Sequence, residues 1–165
     1  MFREMRRKKQ LLDEAITLEI LEKRTSGTLA LMGDDGYTYS LPISFLYKDG
    51  VFYFHGSKVG HKVDAMRKHN KVSFSVIDQD RVIPEANTTH FRSVIAFGTI
   101  ELIEDDVEKR KAIEIFAYKF APGDKYKESR EKEIELDFNN FMVYKMTVEH
   151  MTGKEHLALV NQRKL

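Results

Sequence analysis

The chain of 165 residues has no cysteine and no tryptophan, only 3 prolines and 9 glycines, and no excess of charge of either sign. Without thiols it has no disulfide framework, no thiolate nucleophile and no Cys-based zinc site, and the absence fits a reducing cytosol and many secreted proteins alike. Lys and Arg number 27 against 26 Asp and Glu, for a net charge of +1. That balance argues against nucleic acid or an anionic membrane as the main partner, since both demand a basic footprint. No segment nears the roughly 18 apolar residues of a membrane span. Met1 to Gln10 (MFREMRRKKQ) is basic, but acids recur through the following LLDEAITLEILEKR, so the apolar core of a signal peptide is missing. The expectation is a soluble cytoplasmic protein of one domain, 1–165, with residues 1–12 as an N-terminal arm. At this size about 68–70% of the unfolded surface can be buried, enough for a core without staples.

What is present is a helix followed by a long β-rich stretch. Ile16, Ile20 and Leu21 recur at helical spacing behind Asp13, a plausible N-cap, predicting an amphipathic helix over 13–24. The period then changes to two. GTLALMG (27–33), the GDDG turn, YTYSLPISFLY (37–47), the Asp49-Gly50 turn and VFYFH (51–55) read as three strands of an antiparallel meander. Pro42 cannot donate to a ladder, so its strand is bulged or open on that edge.

A helical stretch over 58–69 precedes a strand over 71–78, and Gln79 to Thr89 reads as a polar loop. FRSVIAFGTIELIE (91–104) is the longest β-rich run, with Gly98 where a strand would bend around a barrel corner. Two helices broken at Ala121-Pro122-Gly123 fill 105–139 as an insertion, FMVYKMTV (141–148) is the sixth strand, and 149–165 reads as a C-terminal tail. Six hairpin-linked strands with late helices predict a mainly β fold, a small antiparallel barrel.

The chemistry concentrates in FYFHGSKVGHK (52–62). A helix N-terminus offers free N–H groups and the positive end of a dipole. Ser57, Lys58, His61 and Lys62 add a hydroxyl and cations within a few positions, which makes a phosphate pocket. An ordinary serine-capped helix with solvated lysines has the same spacing. His55, in an alternating strand, is equally compatible with a half-buried histidine bonded to a carbonyl. The remaining histidines have no spacing that proposes a metal site.

This segment, with YTYSLPISFLYKDG before it, resembles the FMN-binding split barrels related to pyridoxamine 5'-phosphate oxidase, and among them the nitroimidazole-resistance (Nim) family. The likeness runs through MRRKKQ, GTLAL, DGVFYFHGSKVGHKVDAM, KVSFSVID, TTHFRSVIAFGTIELIED and EHMTGKE, in that order. Thr38 stands where that family often has Pro, and His61 where Lys is common. The resemblance implies a six-stranded antiparallel split β-barrel of Greek-key type that binds FMN. It implies that Ser57, Lys58, His61 and Lys62 contact the phosphate and ribityl chain. By the same likeness, the backbone edge of Ser40, Leu41, Pro42 and Ile43 meets the isoalloxazine, while Phe54, His55 and Gly56 lie where β-strand and phosphate turn approach the ring. Arg92 and Ser93 match a segment supplying polar contacts to ring or phosphate. It further implies a homodimer with FMN at the interface, and a catalytic role for His55 toward a small-molecule acceptor.

The expected activity is FMN-dependent reduction of nitro-heterocycles such as 5-nitroimidazoles with electrons from NAD(P)H. No Rossmann fingerprint is present, so the nicotinamide would bind transiently. Alternatives are a haem-binding or haem-handling split barrel, a flavin binder without turnover, and a pyridoxamine-phosphate-oxidase-like flavoprotein of other substrate.

Overall fold

The computed structural model describes residues 2–163. The opening amphipathic segment folds as α1 (Glu14–Lys23), burying Thr17, Ile20 and Leu21. The alternating runs become β1 (Ser26–Met32), β2 (Thr38–Ser44), β3 (Leu46–Lys48), β4 (Val51–Ser57), β5 (Lys71–Ile83), β6 (Thr88–Ile103) and β7 (Phe141–Glu155). The other helices are α2 (His61–Lys68), α3 (Asp106–Phe120), α4 (Lys127–Asp137) and α5 (Leu157–Arg163).

All neighbouring strands pair antiparallel in a 7-stranded sheet of order β2-β1-β5-β6-β7-β4-β3. The stretch 37–47, expected as one strand, breaks at Phe45, whose fully buried ring turns a corner; this yields seven strands where six were expected. β2 and β3 stand at opposite edges of the sheet, yet only Phe45 separates them in sequence. The sheet must therefore curl until its two edges meet, giving a barrel.

The closure is incomplete. β3 pairs with β4 only at Val51 to Tyr53. Beyond that point Phe54 to Ser57 runs near β2 with no ladder between them, and this seam splits the barrel.

Phe45, Phe52, Phe54 and Phe74 fill the barrel, with Phe74 meeting Phe45 and Phe54 edge-on at 5.2 and 5.1 Å. A second apolar cluster, including Leu46, Ile113, Phe116, Ile134 and Val143, fastens α3 and α4 to the outside. These two helices occupy the expected insertion. Gly98 marks the corner in β6: the β6–β7 register shifts between Phe97 and Gly98, and a Cβ there would lie 2.0 Å from the Thr147 carbonyl oxygen.

Two expectations need correction. Gln79 to Thr89 is not a loop: β5 and β6 continue past a bulge at Ile77/Gln79 as a two-stranded arm, paired through Ile83 and Thr88. Residues 149–155 are not a tail, because β7 runs on to Glu155 before α5 begins. The N-terminal arm is also less solvated than its charge suggests. Leu12 is buried, Leu11 bridges to Lys154, and Phe2 stacks on His150 at 4.9 Å. Met1 of that arm and residues 164–165 of the expected tail lie outside the described residues.

The far end of the barrel is tied by ions. Glu155, fully buried, accepts from Arg92 at 3.1 Å and from Arg163 at 2.5 Å, while Asp78 joins Arg24 at 2.9 Å and Arg92 at 3.5 Å.

Candidate functional site

The seam places most of the expected residues together. In an antiparallel pair, the N–H and C=O of one residue point to the same side, and alternate residues point to opposite sides. Phe45 N–H donates to Thr25 O on the β1 side, so by alternation Ser40, Pro42 and Ser44 turn their backbone groups to the open side. Pro42 thus costs the ladder nothing, and Ser40 and Ser44 keep free edge donors on the seam. Leu41 and Ile43 turn inward and pack on the core. On β4, Phe54 is fully buried while His55 and Ser57 face outward. The outer floor of the seam therefore carries only Ser40, Pro42, Ser44, His55 and Ser57, with no large aliphatic side chain to obstruct a flat ligand.

Past β4 the chain makes the turn into α2. Val59 N–H donates to Ser57 Oγ at 3.2 Å, and the Tyr144 hydroxyl donates to the Ser57 carbonyl. Burial pushes the Tyr144 pKa up to about 12, so the phenol stays a donor. Gly60, at φ 118°, starts the helix, and its carbonyl accepts from Val63 and Asp64. The N–H groups of His61 and Lys62 are left as first-turn donors. Lys62 crosses Gly56, where a Cβ would sit 3.0 Å from Nζ. Neither Lys58 nor Lys62 has a carboxylate within salt-bridge distance among the described residues. Lys109 of α3 adds positive field: its ammonium donates to the Phe138 carbonyl, 4.2 Å above the Phe138 ring centroid, and desolvation followed by the Lys58 charge lowers its pKa.

The His61 ring is turned elsewhere. It stacks on Tyr39, and Nε2 lies 3.5 Å from Asp34 Oδ2. Its side chain therefore clamps α2 to β2 rather than pointing freely into the turn.

His55 stands edge-on to Phe116, with centroids 4.7 Å apart. Desolvation, and then the Lys62 charge, hold its pKa below 6.5, so the imidazole is neutral at physiological pH. It opens on a cavity of about 620 Å3 between the seam and α3–α4, walled by Phe116, Phe120 and Phe141. Sequence reasoning missed this cavity, together with Ser44, Tyr144 and Lys109. A Phe116-Phe120 pair at i, i+4 on a helix was the available signal.

Arg92 and Ser93 are not brought to this site within one chain. They pair with Glu155 and Lys154, whereas Ser57 pairs with Phe141 at the other end of β7. The Arg92 guanidinium is already engaged by Glu155 and Asp78. Among the described residues, no group of three or more His, Cys, Asp or Glu is disposed to hold a metal ion. No helix is long and apolar enough to cross a membrane.

A curled antiparallel sheet with an unpaired seam and helices over one side defines a split-barrel protein. Residues 13–155 match the Pyridoxamine 5'-phosphate oxidase family, and the chain belongs to it. No curated protein matches the chain. Among solved structures, a proposed 5-nitroimidazole antibiotic resistance protein from Bacteroides thetaiotaomicron is similar at 23% identity and TM-score 0.72, over 88% of this chain and 86% of that one. A flavocytochrome from Azotobacter vinelandii is similar at 23% identity and TM-score 0.74, over 93% and 72%. An FAD and haem binding protein from Mycobacterium smegmatis is similar at 21% identity and TM-score 0.72, over 89% and 73%. At these identities the likeness establishes the fold.

Proposed function

We propose that the protein is an FMN-dependent oxidoreductase of the nitroimidazole-resistance kind, reducing nitro-heterocycles such as 5-nitroimidazoles with electrons from NAD(P)H. The observation that carries this reading is the unpaired seam ending at two ammonium groups without carboxylate partners. The residues fit the cofactor: Lys58 and Lys62 would offset phosphate charge and the first-turn N–H groups of α2 would donate to its oxygens, while Gly56 leaves room for Lys62. His61 would act through its backbone N–H, its ring being held by Tyr39. The edge groups of Ser40, Pro42 and Ser44 would meet a flat ring between the strands, while Leu41, Ile43 and Phe54 back them from the core.

When bound, FMN supplies the hydride acceptor and the electron relay. His55 lies at the border of seam and cavity, where a neutral imidazole can position an acceptor oxygen and hand over a proton as negative charge builds there. Arg92 and Ser93 would reach a cofactor only in a second copy of the chain. A homodimer with FMN at the interface fits the exposed apolar stripe of Ile77, Ile95 and Phe97 on β5 and β6.

Haem binding is the second reading, favoured by a neutral imidazole facing an apolar-walled cavity. The absorption spectrum of the purified protein separates the two: flavin bands support the first and a Soret band the second. His55→Ala should stay yellow while its nitro-heterocycle reduction with NAD(P)H falls about 10²–10⁴-fold. Retained activity, or loss of flavin, would remove His55 from catalysis.

A further inference from the structure

The β4–β7 ladder brings a third cation to the turn before α2. Ser57 pairs with Phe141 and Gly56 with Met142, so the start of β7 lies beside the residues that lead into the turn. Lys109, on α3, reaches the same place. Its ammonium rests between two rings, 4.2 Å from the Phe138 centroid and 4.7 Å from that of Phe141, and donates to the Phe138 carbonyl. Only 4% of the residue is exposed, and among the described residues no carboxylate lies within salt-bridge distance of it. Lys58, the next residue after Ser57, is close enough for its charge to add to desolvation in lowering the Lys109 pKa, while Asp106 on the same helix acts in the opposite sense. A carbonyl and two aromatic faces hold the ammonium in place but carry only partial negative charge. A full positive charge is left buried without a counter-ion.

Lys58, Lys62 and Lys109 thus surround the Gly56–Ser57 step with three positive charges and, among the described residues, no acid paired to any of them. A phosphomonoester carries about −1.5 to −2 charge at neutral pH on one phosphorus, whereas each phosphorus of an internal pyrophosphate carries a single charge. Coulomb attraction scales with that charge, so a buried third cation favours the monoester. We propose that Lys109 is the specificity-determining residue of this turn: with Lys58 and Lys62 it selects a terminal phosphomonoester dianion, and so FMN over FAD. The proposal rests on the flavin reading for the identity of the ligand, not for the cation cluster, which an inorganic phosphate dianion would also occupy.

FMN and FAD are titrated by fluorescence into the full chain, into Lys109→Met and into Lys109→Arg. The unsubstituted protein should bind FMN about tenfold tighter or more than FAD, as one more unit charge at short range predicts. Lys109→Met should erase most of that preference by weakening FMN more than FAD, and Lys109→Arg, which keeps the charge, should retain it. A residue that only capped α4 through the Phe138 carbonyl would weaken both flavins alike. An unchanged ratio in Lys109→Met, or an unsubstituted protein that prefers FAD, overturns the proposal. A second reading needs no variant: inorganic phosphate, with the Lys109 side chain followed by NMR, should raise its pKa, and the absence of a rise overturns the proposal as well. A rise with phosphate in a protein that binds neither flavin would overturn the flavin reading and leave the phosphate site standing. FMN binding with an unmoved ratio would overturn the role of Lys109 alone.

Discussion

The imidazole of His61 lies flat on the ring of Tyr39, with centroids 4.2 Å apart and planes within 9°. This contact joins the first turn of α2 to the strand on the other side of the seam, so it sets the width at the α2 end. It also predicts a division of labour. Lys58→Ala and Lys62→Ala should each weaken FMN binding by about 1.5–3 kcal/mol, the worth of a charge-assisted bond. His61→Ala should weaken it less, and in thermal melts should be non-additive with Tyr39→Leu, since each removes the same contact. Fluorescence titration of FMN checks the order; His61→Ala as the most damaging of the three would refute it.

Arg92 should behave as a structural residue. Its partner Glu155 has no exposed surface and would be left with Arg163 as its one cation among the described residues. Arg92→Ala is expected to cost about 1.5–3 kcal/mol in urea unfolding, the worth of a hydrogen bond to a charged group. A variant of unchanged stability that fails to bind FMN would instead make Arg92 a cofactor residue.

Gly98→Ala should be among the most damaging single-methyl additions. The obstacle is a backbone carbonyl, which cannot step aside as a side chain can. The expected loss is about 3 kcal/mol, the upper end of overpacking. Equilibrium unfolding measures it, and a near-neutral result would show that the β6 corner can rearrange.

The pKa of His55 gives a pH signature. Desolvation and then Lys62 lower it, so the unfolded chain binds this proton more readily than the folded one. The contribution of His55 to stability is therefore full above pH 6.5 and declines as pH falls toward the folded value. An NMR titration should give a midpoint below 6.5 that rises in Lys62→Met, where one of the two causes is gone. A midpoint at or above 6.5 would contradict the desolvation that the neighbouring helix imposes.

Much of the barrel was legible because its strands have one wet and one dry face. Phe52, Phe54, Phe74 and Val76 alternate with more exposed neighbours, and Asp49-Gly50 carries the positive φ angles, 49° and 82°, that its turn signal calls for. The arm beyond Gln79 was illegible for the converse reason. Most of its residues are exposed on both faces, so no dry side writes a period of two, and Pro84 with Asn87 at φ 47° resembles a loop. At the site, the turn from Ser57 to Lys62 could be read because its residues are contiguous. The cavity could not, since it exists only where α3 and α4 come down on β4, and neither helix alone records that meeting. Arg92 differs again: the family likeness gives it a role toward a cofactor, whereas within one chain its guanidinium is engaged by Glu155 and Asp78.

Phe45 has a mechanical consequence. The two borders of the seam, β2 and Phe54 to Ser57, are held together at one end, where the chain passes through Phe45 into β3 and β3 pairs with β4, so they cannot separate like parallel rails. They open as a wedge whose apex is fixed at Phe45 and whose aperture widens toward Ser40 and Ser57. A ligand would enter and leave from that end, and the stack between Tyr39 and His61 sits there as the latch.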